Sequence, residues 1–241
     1  MRRRPLLVVA LGLAGCGGAE PALRDAPARP PFTAAPAAER AAPSGRYLTA
    51  RLLEPTALRA APGGRSLHRL AIRTEFGSRR VLAVTARRDG WLRVIAPERP
   101  NGREGWIPER RARMGGTDVS LHVDRSAREL AVRRDGRVVR RFPVAVGRPG
   151  TPTPTGRFAV TDKLHPDSAD SPYGCCALAL SGHQTKLLPG WPGGDRLAIH
   201  ATPQEETVGT PVSLGCMRGR ERDIRRLMRT VPVGAPVFVR A

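Results

Sequence analysis

The sequence predicts a mainly β protein of two consecutive β-rich units, with one α-helix near the C-terminal end. Short alternations of apolar and polar residues recur from residue 46 onward, separated by turn signals such as the Asp-Gly pair at 89–90. A helical period occurs once, in residues 219–230, where Ile224, Leu227 and Met228 follow i, i+3, i+4 spacing. Hydrophobic residues make up 40% of the chain, which is enough for buried cores.

The composition is strongly basic. The 241 residues include 41 Lys and Arg against 21 Asp and Glu, a formal net charge of +20 at pH 7. Lys163 and Lys186 are the only lysines, so this charge is almost entirely arginine. Such basicity first suggests nucleic acid as a partner. The sequence has no run of 18 or more apolar residues, which excludes a polytopic helical membrane protein.

The N-terminus predicts export from the cytoplasm. Three arginines at positions 2–4 precede an apolar run over residues 6–14, which is typical of a secretory signal and too short for a membrane span. The ending Leu13-Ala14-Gly15-Cys16 resembles the bacterial lipobox, in which the cysteine is diacylated and becomes the first mature residue. An ordinary signal peptide or a buried N-terminal helix is the alternative interpretation.

We therefore expect a lipoprotein signal peptide at residues 1–15, lipidation at Cys16 and an Ala/Pro-rich tether over residues 16–45. The tether cannot bury enough apolar surface to offset its chain entropy. The expected location is the cell envelope, either anchored by lipid on the outer face of the cytoplasmic membrane or in the periplasm. That location makes the membrane a partner and argues against nucleic acid.

Residues 46–114 resemble a bacterial SH3-like domain, a small β-barrel. The resemblance is carried by the strand candidates 81–84 and 91–95 and by the Gly-Trp-Ile sequence at 105–107. It implies a module that binds cell wall or positions a catalytic neighbour. Trp91 and Trp106 either fill its core or contact a ligand. Its 16 arginines suit anionic wall polymers or lipid headgroups, although a solvated arginine face is the simpler interpretation.

Cys216 and His200 form the candidate catalytic pair. If Cys16 is acylated, three cysteines remain, an odd number that predicts a free thiol outside the cytoplasm. Cys216 precedes the predicted helix, whose N–H groups would lower the thiol pKa and supply oxyanion donors. His200 ends an apolar strand 16 residues upstream, and the intervening loop is long enough to bring the two side chains together. A buried cysteine and an unrelated surface histidine are the alternative.

Three blocks of sequence, in order, resemble the L,D-transpeptidase catalytic domain of the YkuD type. The first is Pro-Thr-Pro-Thr-Gly-Arg-Phe at 152–158, and the second is Tyr173-Gly174 with the apolar segment 177–182. The third is His200 followed by Ser-Leu-Gly-Cys-Met-Arg at 213–218. The resemblance implies a β-sandwich-like catalytic domain over residues 117–241 that acts on peptidoglycan stem peptides.

The resemblance also implies a two-step acyl transfer. His200 would take the proton of Cys216, and the thiolate would attack the carbonyl of the third residue in a stem tetrapeptide. The backbone N–H groups of Gly215 and Cys216, with Leu214, would hold the oxyanion, and Ser213 would orient the site. D-Ala would leave, and an amine of a second stem would resolve the thioester into a 3→3 cross-link.

Substrate contacts are expected from Tyr173, His183 and Arg218. Arg218 could hold a substrate carboxylate or instead pair with Asp223, and a surface position is the simpler interpretation of His183. No cofactor is predicted. A metal site is not predicted either, because the remaining histidines have no ligand spacing with one another or with the cysteines. The histidines concerned are His68, His122, His165 and His183.

The sequence departs from the family pattern at several positions. Leu214 stands where many members have a second histidine, and Ala201 stands where glycine is common. Cys175 and Cys176 follow Tyr173-Gly174 and are either small buried side chains or a disulfide, vicinal or with another chain.

Alternative functions stay open at this point. Transfer of the acyl group to water would make the protein an L,D-carboxypeptidase, and transfer to a protein amine would make it an anchoring transpeptidase. A non-catalytic wall-binding lipoprotein is the non-enzymatic alternative. A wall-hydrolysing cysteine peptidase or a sortase fits less well, because the former has Cys before His and the latter a Thr-Leu-x-Thr-Cys motif that is absent here.

Overall fold

The computed structural model describes residues 32–34, 47–168, 170–190 and 193–241. The predicted signal peptide and the lipidation site Cys16 lie outside the described residues. Of the predicted tether, the structure describes residues 32–34, which form a strand that pairs antiparallel with residues 164–166. This part of the tether therefore extends a sheet.

The described residues form eighteen β-strands and one α-helix. The strands are β1 Phe32–Ala34, β2 Tyr47–Leu52, β3 Thr56–Arg59, β4 Ser66–Leu70, β5 Val81–Arg88, β6 Trp91–Ile95, β7 Gly105–Pro108, β8 Ala112–Thr117, β9 Val119–Asp124, β10 Glu129–Arg134, β11 Arg137–Pro143, β12 Val146–Gly147, β13 Gly156–Pro166, β14 Ala177–His183, β15 Arg196–Ala201, β16 Pro211–Ser213, β17 Met217–Gly219 and β18 Pro236–Arg240. Helix α1 spans Glu221–Thr230, and short 3-10 helices span Glu109–Arg111 and Glu205–Thr207. The predicted mainly β fold with a single helix is confirmed for these residues.

The N-terminal sheet contains seven strands in the order β4-β3-β7-β6-β5-β2-β8. Asp89 and Gly90 both have positive φ, as a tight hairpin between β5 and β6 requires. The core is aliphatic, with Leu58, Leu92 and Ile107 among its buried residues. An SH3-like identity for this unit stays a prediction.

The two tryptophans of this sheet were expected either to fill its core or to contact a ligand, and the structure does not place them in the core. Trp91 and Trp106 are both partly exposed. Successive side chains of a strand point to opposite faces. Since Gly105 and Ile107 face the core, Trp106 faces outward, where Arg93 lies over its ring at 6.0 Å.

The C-terminal sheet follows directly and carries the predicted catalytic residues. Its strands run in the order β11-β10-β9-β18-β13-β14-β15-β17, with β1 paired to β13 and a separate β12–β16 pair beside it. A second hydrophobic core lies here and includes Phe158, Leu178, Ile199 and Leu227. Ile224 and Leu227 are the buried apolar residues of α1, so the face predicted from the helical spacing is the one that packs.

Helix α1 begins at Glu221, two residues after the predicted start at residue 219. Residues 217–219 instead form β17, which pairs in parallel with β15. A Cβ on Gly219 would lie 2.8 Å from Ile224 Cδ1, so this strand passes very close to the helix. None of the described helices is long and apolar enough to cross a membrane.

Candidate active site

Cys216 and His200 lie on neighbouring strands of the C-terminal sheet. In the parallel pair of β15 and β17, Ile199 is opposite Met217 and His200 is opposite Arg218. Cys216 directly precedes β17, so this register continues to place it opposite Ala198. Residues two apart in a strand share a face, so Ala198 and His200 share one, and Cys216 is the diagonal neighbour of His200. The register therefore brings the predicted pair together.

The environment of Cys216 differs from the expectation. The cysteine precedes a strand, and the helix starts five residues later at Glu221. Burial raises the pKa of the Cys216 thiol, while a hydrogen bond with the Ala198 backbone and the charge of Arg218 partly oppose this rise. The expected lowering by helical N–H groups is wrong, because no helix begins at the cysteine.

The thiol nevertheless remains accessible. Among the described residues Cys216 is the free cysteine, and it is partly exposed. Its Sγ donates to the carbonyl oxygen of Arg196 at 3.9 Å. Because a carbonyl accepts from a thiol, this contact and the raised pKa both indicate a protonated resting thiol.

His200 is held as a neutral base. It is 2% exposed, and burial lowers its pKa to about 4, with the Arg218 charge acting in the same direction and the Ala201 carbonyl against it. Nδ1 lies 2.6 Å from the carbonyl oxygen of Ala201, so Nδ1 carries the proton. Nε2 is therefore left with its lone pair, as a general base requires. The Tyr173 ring packs edge-on against the imidazole, with centroids 4.8 Å apart.

Side-chain hydrogen bonds fix the loop that carries the cysteine. Four consecutive carbonyls, from residue 213 to residue 216, each accept from a side chain. The donors are Thr151 Oγ1 to Ser213 O at 3.2 Å, Gln184 Nε2 to Leu214 O at 2.7 Å, Thr153 Oγ1 to Gly215 O at 2.8 Å and Ser213 Oγ to Cys216 O at 2.6 Å. With its carbonyls fixed, the loop presents its N–H groups and the thiol in one defined orientation.

The backbone at Gly215 favours glycine. Its φ is +125°, a conformation that other residues rarely adopt. A Cβ there would also lie 2.1 Å from Gln184 Nε2. The Gly215 N–H donates to Ser213 Oγ at 3.0 Å, so one of the expected oxyanion donors already has a partner.

A small open pocket leads to the thiol. The described residues that line it are Thr151, Tyr173, Gln184, Lys186, Leu187, Leu188, Gly193, Gly194, Asp195, Arg196, Leu197, Leu214 and Cys216. Leu187 and Leu188 are exposed and give the pocket an apolar edge, while Lys186 and Asp195 supply one charge of each sign. Leu214 adds apolar surface beside the cysteine.

The three expected substrate contacts are placed differently. Tyr173 lines the pocket beside Cys216. His183 lies away from the pocket lining, with Nε2 2.6 Å from Pro97 O and Nδ1 3.0 Å from Asp195 Oδ2.

Arg218 is half-buried and lies near both members of the catalytic pair. Its backbone pairs with Ala145, and Nε is a buried nitrogen without a hydrogen-bond partner among the described residues. Asp223, the acid weighed as its partner, lies instead 3.5 Å from Arg140 and 3.7 Å from Arg222. The charge of Arg218 lowers the pKa of both His200 and Cys216.

Cys175 and Cys176 form a vicinal disulfide in the structure, one of the alternatives left open by the sequence. Cys176 is 1% exposed and belongs to the hydrophobic core. Its carbonyl accepts the Ala201 N–H at 3.1 Å, so the disulfide lies beside the end of β15. Within the part of the chain that the structure describes, no three His, Cys, Asp or Glu side chains are grouped closely enough to hold a metal ion.

Comparison with known proteins agrees with this geometry. The family model of the L,D-transpeptidase catalytic domain, YkuD, matches residues 118–239, about half of the chain. The chain belongs to the L,D-transpeptidase catalytic-domain family. The matched range contains both His200 and Cys216 and begins where the N-terminal sheet ends.

Two relatives of this L,D-transpeptidase-family chain come from Bacillus subtilis (strain 168), and both are provisionally named L,D-transpeptidases. YqjB is 32% identical over 132 residues, which cover 51% of this chain and 71% of YqjB. YkuD is 30% identical over 119 residues, which cover 49% of this chain and 64% of YkuD.

Solved structures of L,D-transpeptidases are also similar. One from Mycobacterium smegmatis has 21% identity and a TM-score of 0.46, covering 88% of this chain and 100% of the other. One from Mycobacterium tuberculosis has 22% identity and a TM-score of 0.43, covering 57% of this chain and 72% of the other.

Sequence reasoning missed Gln184, Thr151 and Thr153 as parts of this L,D-transpeptidase site. Thr153 lies in the 152–158 block and Thr151 directly precedes it, so the match to the family pointed at the segment without giving the threonines a role. Gln184 carried no signal, because an isolated glutamine after a strand is ordinary in sequence. Only the fold brings it within hydrogen-bond distance of Leu214.

Proposed function

We propose that this chain is a peptidoglycan L,D-transpeptidase that forms 3→3 stem-peptide cross-links through an acyl-enzyme on Cys216. The observation that carries the proposal is the register of β15 and β17, which sets a partly exposed thiol beside a buried neutral imidazole. The hydrogen-bonded loop that carries the cysteine and the pocket in front of the thiol also support the proposal.

The first step starts from a neutral pair. A thiol with a raised pKa and an imidazole with a lowered one do not exchange a proton before substrate binds. As Sγ attacks the donor carbonyl, the thiol proton passes to His200 Nε2. The C–N bond to D-Ala then breaks, His200 returns the proton to the leaving amine, and a thioester remains on Cys216.

The oxyanion of this step needs donors. Since Ser213 Oγ occupies the Gly215 N–H, we assign the role first to the N–H groups of Leu214 and Cys216. Arg218 adds a positive charge that lowers the pKa of Cys216 and so favours negative charge on the sulfur. Ser213 orients the loop by accepting from Gly215 N and donating to Cys216 O.

The second step decides the product. An amine of a second stem attacks the thioester, His200 takes the amine proton, and Cys216 leaves as thiol once that proton returns to sulfur. Water in place of the amine would give a carboxypeptidase, and a protein amine would give an anchoring reaction. The apolar edge formed by Leu187, Leu188 and Leu214 disfavours water at the thioester and thus supports the amine acceptor.

The test uses purified protein and tetrapeptide-stem muropeptides. D-Ala release and cross-linked dimers are measured by mass spectrometry, together with the mass shift of Cys216 after treatment with a carbapenem. Cys216→Ala should abolish all three signals. Full activity in Cys216→Ala would show that the mechanism is wrong, and a folded wild-type protein with no activity and no adduct would favour the non-catalytic wall-binding alternative.

We also propose that the N-terminal sheet contacts anionic wall polymers. A groove beside its β3 strand is lined by Arg59, Arg69, Arg110 and Arg111, and Glu54 pairs with one of them, Arg111. Binding to teichoic acid should weaken steeply with added salt and fall when Arg69 and Arg110 are changed to Ala. Equal binding by that double variant would contradict this role.

The envelope location and the lipid anchor are part of the same proposal. They rest on the N-terminal sequence, above all on Cys16. Incorporation of labelled fatty acid in a bacterial host, lost in Cys16→Ser, would test them. Soluble recovery of unlabelled wild-type protein would contradict them.

A further inference from the structure

Two residues near the pocket pair across neighbouring strands, and of the two Arg196 lines the pocket and His183 lies outside its lining. His183 ends β14, Arg196 begins β15, and the two are in register. We call them the rim pair. The residue after His183 is Gln184, which donates to Leu214 O, and the carbonyl of Arg196 accepts from the Cys216 thiol. The rim pair is therefore connected to the cysteine loop through the adjacent Gln184, and to the nucleophile through the carbonyl of Arg196.

The N-terminal sheet holds the first member of this pair through Asn101. The His183 N–H donates to Asn101 Oδ1 at 2.8 Å, and Asn101 Nδ2 donates to His183 O at 2.7 Å. The side-chain amide thus mimics one residue of a neighbouring strand and satisfies both backbone groups. The His183 ring adds a contact to Pro97 O in the same N-terminal loop.

A second loop of the N-terminal sheet holds Arg196. Glu75 Oε1 accepts from Arg196 Nη1, and Phe76 lies under the guanidinium at 5.9 Å. Within the C-terminal sheet the same guanidinium donates to Leu180 O at 2.5 Å and to Thr161 Oγ1 at 3.0 Å. A planar guanidinium that is hydrogen-bonded on several edges has little conformational freedom. The backbone carbonyl of Arg196 is therefore also held in place.

We propose that Asn101 and Glu75 are positioning residues for the reaction at Cys216, acting through the rim pair. Asn101 fixes His183 and thereby the approach of Gln184 to the cysteine loop. Glu75 fixes Arg196 and thereby the carbonyl that contacts the thiol. According to this proposal, contacts from the N-terminal sheet help to position the active site. The expected effect on catalysis rests on the transpeptidase function proposed above.

Two measurements on the full-length chain test this role. One is the rate of Cys216 alkylation by iodoacetamide, followed on the Cys216 peptide by mass spectrometry. The other is KM and kcat for acylation by a tetrapeptide-stem donor. The variant is Asn101→Ala with Glu75→Ala, and each single variant is measured as well. Glu109→Ala is the matched control, because it breaks a glutamate–arginine pair, with Arg87, inside the N-terminal unit.

In the double variant, alkylation of Cys216 should become faster and acylation by the donor should become slower. Without the two anchors the thiol loses its fixed acceptor, so alkylation should accelerate by about fivefold, the ratio typical of one lost hydrogen bond. Donor acylation should slow by about tenfold, mostly through KM, because the pocket is less well organised. A general loss of stability would instead change the control and the double variant alike.

Three results would overturn the inference. These are an unchanged alkylation rate in the double variant, equal effects in Glu109→Ala, or a change in alkylation that tracks only a lowered Tm across all variants. If the wild type acylates no donor, the proposed function fails, yet the alkylation comparison still decides whether the N-terminal sheet positions Cys216.

Discussion

Gln184 Nε2 donates to the carbonyl oxygen of Leu214 at 2.7 Å, two residues before the candidate nucleophile. The same nitrogen lies 3.2 Å from Pro152 O and 3.3 Å from Thr151 O. One buried amide thus links the 151–152 segment to the cysteine loop. Gln184 is 7% exposed, so water cannot readily replace these bonds.

The first prediction concerns the donor capacity of Gln184. Gln184→Glu should slow acylation of Cys216 by roughly 100-fold, because a buried carboxylate would face three carbonyl oxygens and donate to none. Gln184→Ala should slow it less, by about tenfold. The measurement is the rate at which a carbapenem adduct forms on Cys216. Gln204→Ala, on an exposed loop, is the control and should behave as wild type, and wild-type rates in Gln184→Glu would contradict the assignment.

The second prediction concerns the contact between Gly215 and Gln184. Gly215→Ala should lower the free energy of unfolding by about 3 kcal/mol, because it combines an unfavourable φ with a clash. Gly209→Ala is the matched control, since its φ is also positive, at +91°, but the nearest atom would be 3.9 Å away. It should cost about 1 kcal/mol.

A double variant separates the two causes. In Gly215→Ala with Gln184→Ala the clash is removed and only the backbone strain remains. Urea denaturation should therefore show a loss smaller than the sum of the two single variants. Strict additivity would mean that the clash does not contribute.

How much of this the sequence could predict depends on the range of the interactions. The hairpin at Asp89-Gly90 and the buried face of α1 follow from local rules, and both are present. The pairing of His200 with Cys216 was predicted from the resemblance to family motifs. Local rules of secondary structure alone could not predict this contact. The thiol pKa was predicted in the wrong direction, because residues 217–219 extend a sheet instead of starting a helix.

Contacts between the two units could not be predicted at all. Thr74 donates to Asp162 at 2.5 Å, although the two are 88 residues apart in sequence. Asn101 hydrogen-bonds both backbone groups of His183, which is 82 residues away. No periodicity or spacing encodes such pairs, since they depend on how one folded sheet docks on another. The same holds for the carbonyl contacts of Thr151 and Thr153, which only the folded loop brings into place.

The third prediction concerns pH and stability. Unfolded His200 binds a proton below about pH 6.5, whereas folded His200 does so only below about 4. The unfolded state therefore binds more protons between these values, and stability falls as pH falls through this window, by roughly 3 kcal/mol in total. Urea denaturation at pH 7 and pH 4 measures it. His200→Gln should show a clearly smaller dependence, because only the contribution of His122, whose pKa is also lowered by burial, would remain, while His68→Gln, at an exposed position, should keep the full dependence. Equal pH dependence in both variants would contradict the assignment.

The last prediction concerns Arg218. Its charge lowers the pKa of both Cys216 and His200, and the nearby acid Asp223 pairs with Arg140 and Arg222 instead of with Arg218. Removing the charge in Arg218→Met should therefore raise the pKa of the Cys216 thiol further, since burial would then act with less opposition. The rate of iodoacetamide alkylation at Cys216, measured across pH, should shift to higher pH, so that alkylation at a fixed pH near 8 becomes slower.

The direction of this shift separates an electrostatic role from a packing role. If Arg218 only braced the β15–β17 pair, its loss would loosen the site and expose the thiol, so alkylation would become faster at every pH without a shift of the profile. Arg225→Met is the control, because Arg225 pairs with Glu221 on the exposed face of α1. The pH profile of alkylation in Arg225→Met should match that of the wild type, because solvent screens this exposed ion pair on α1 from the thiol.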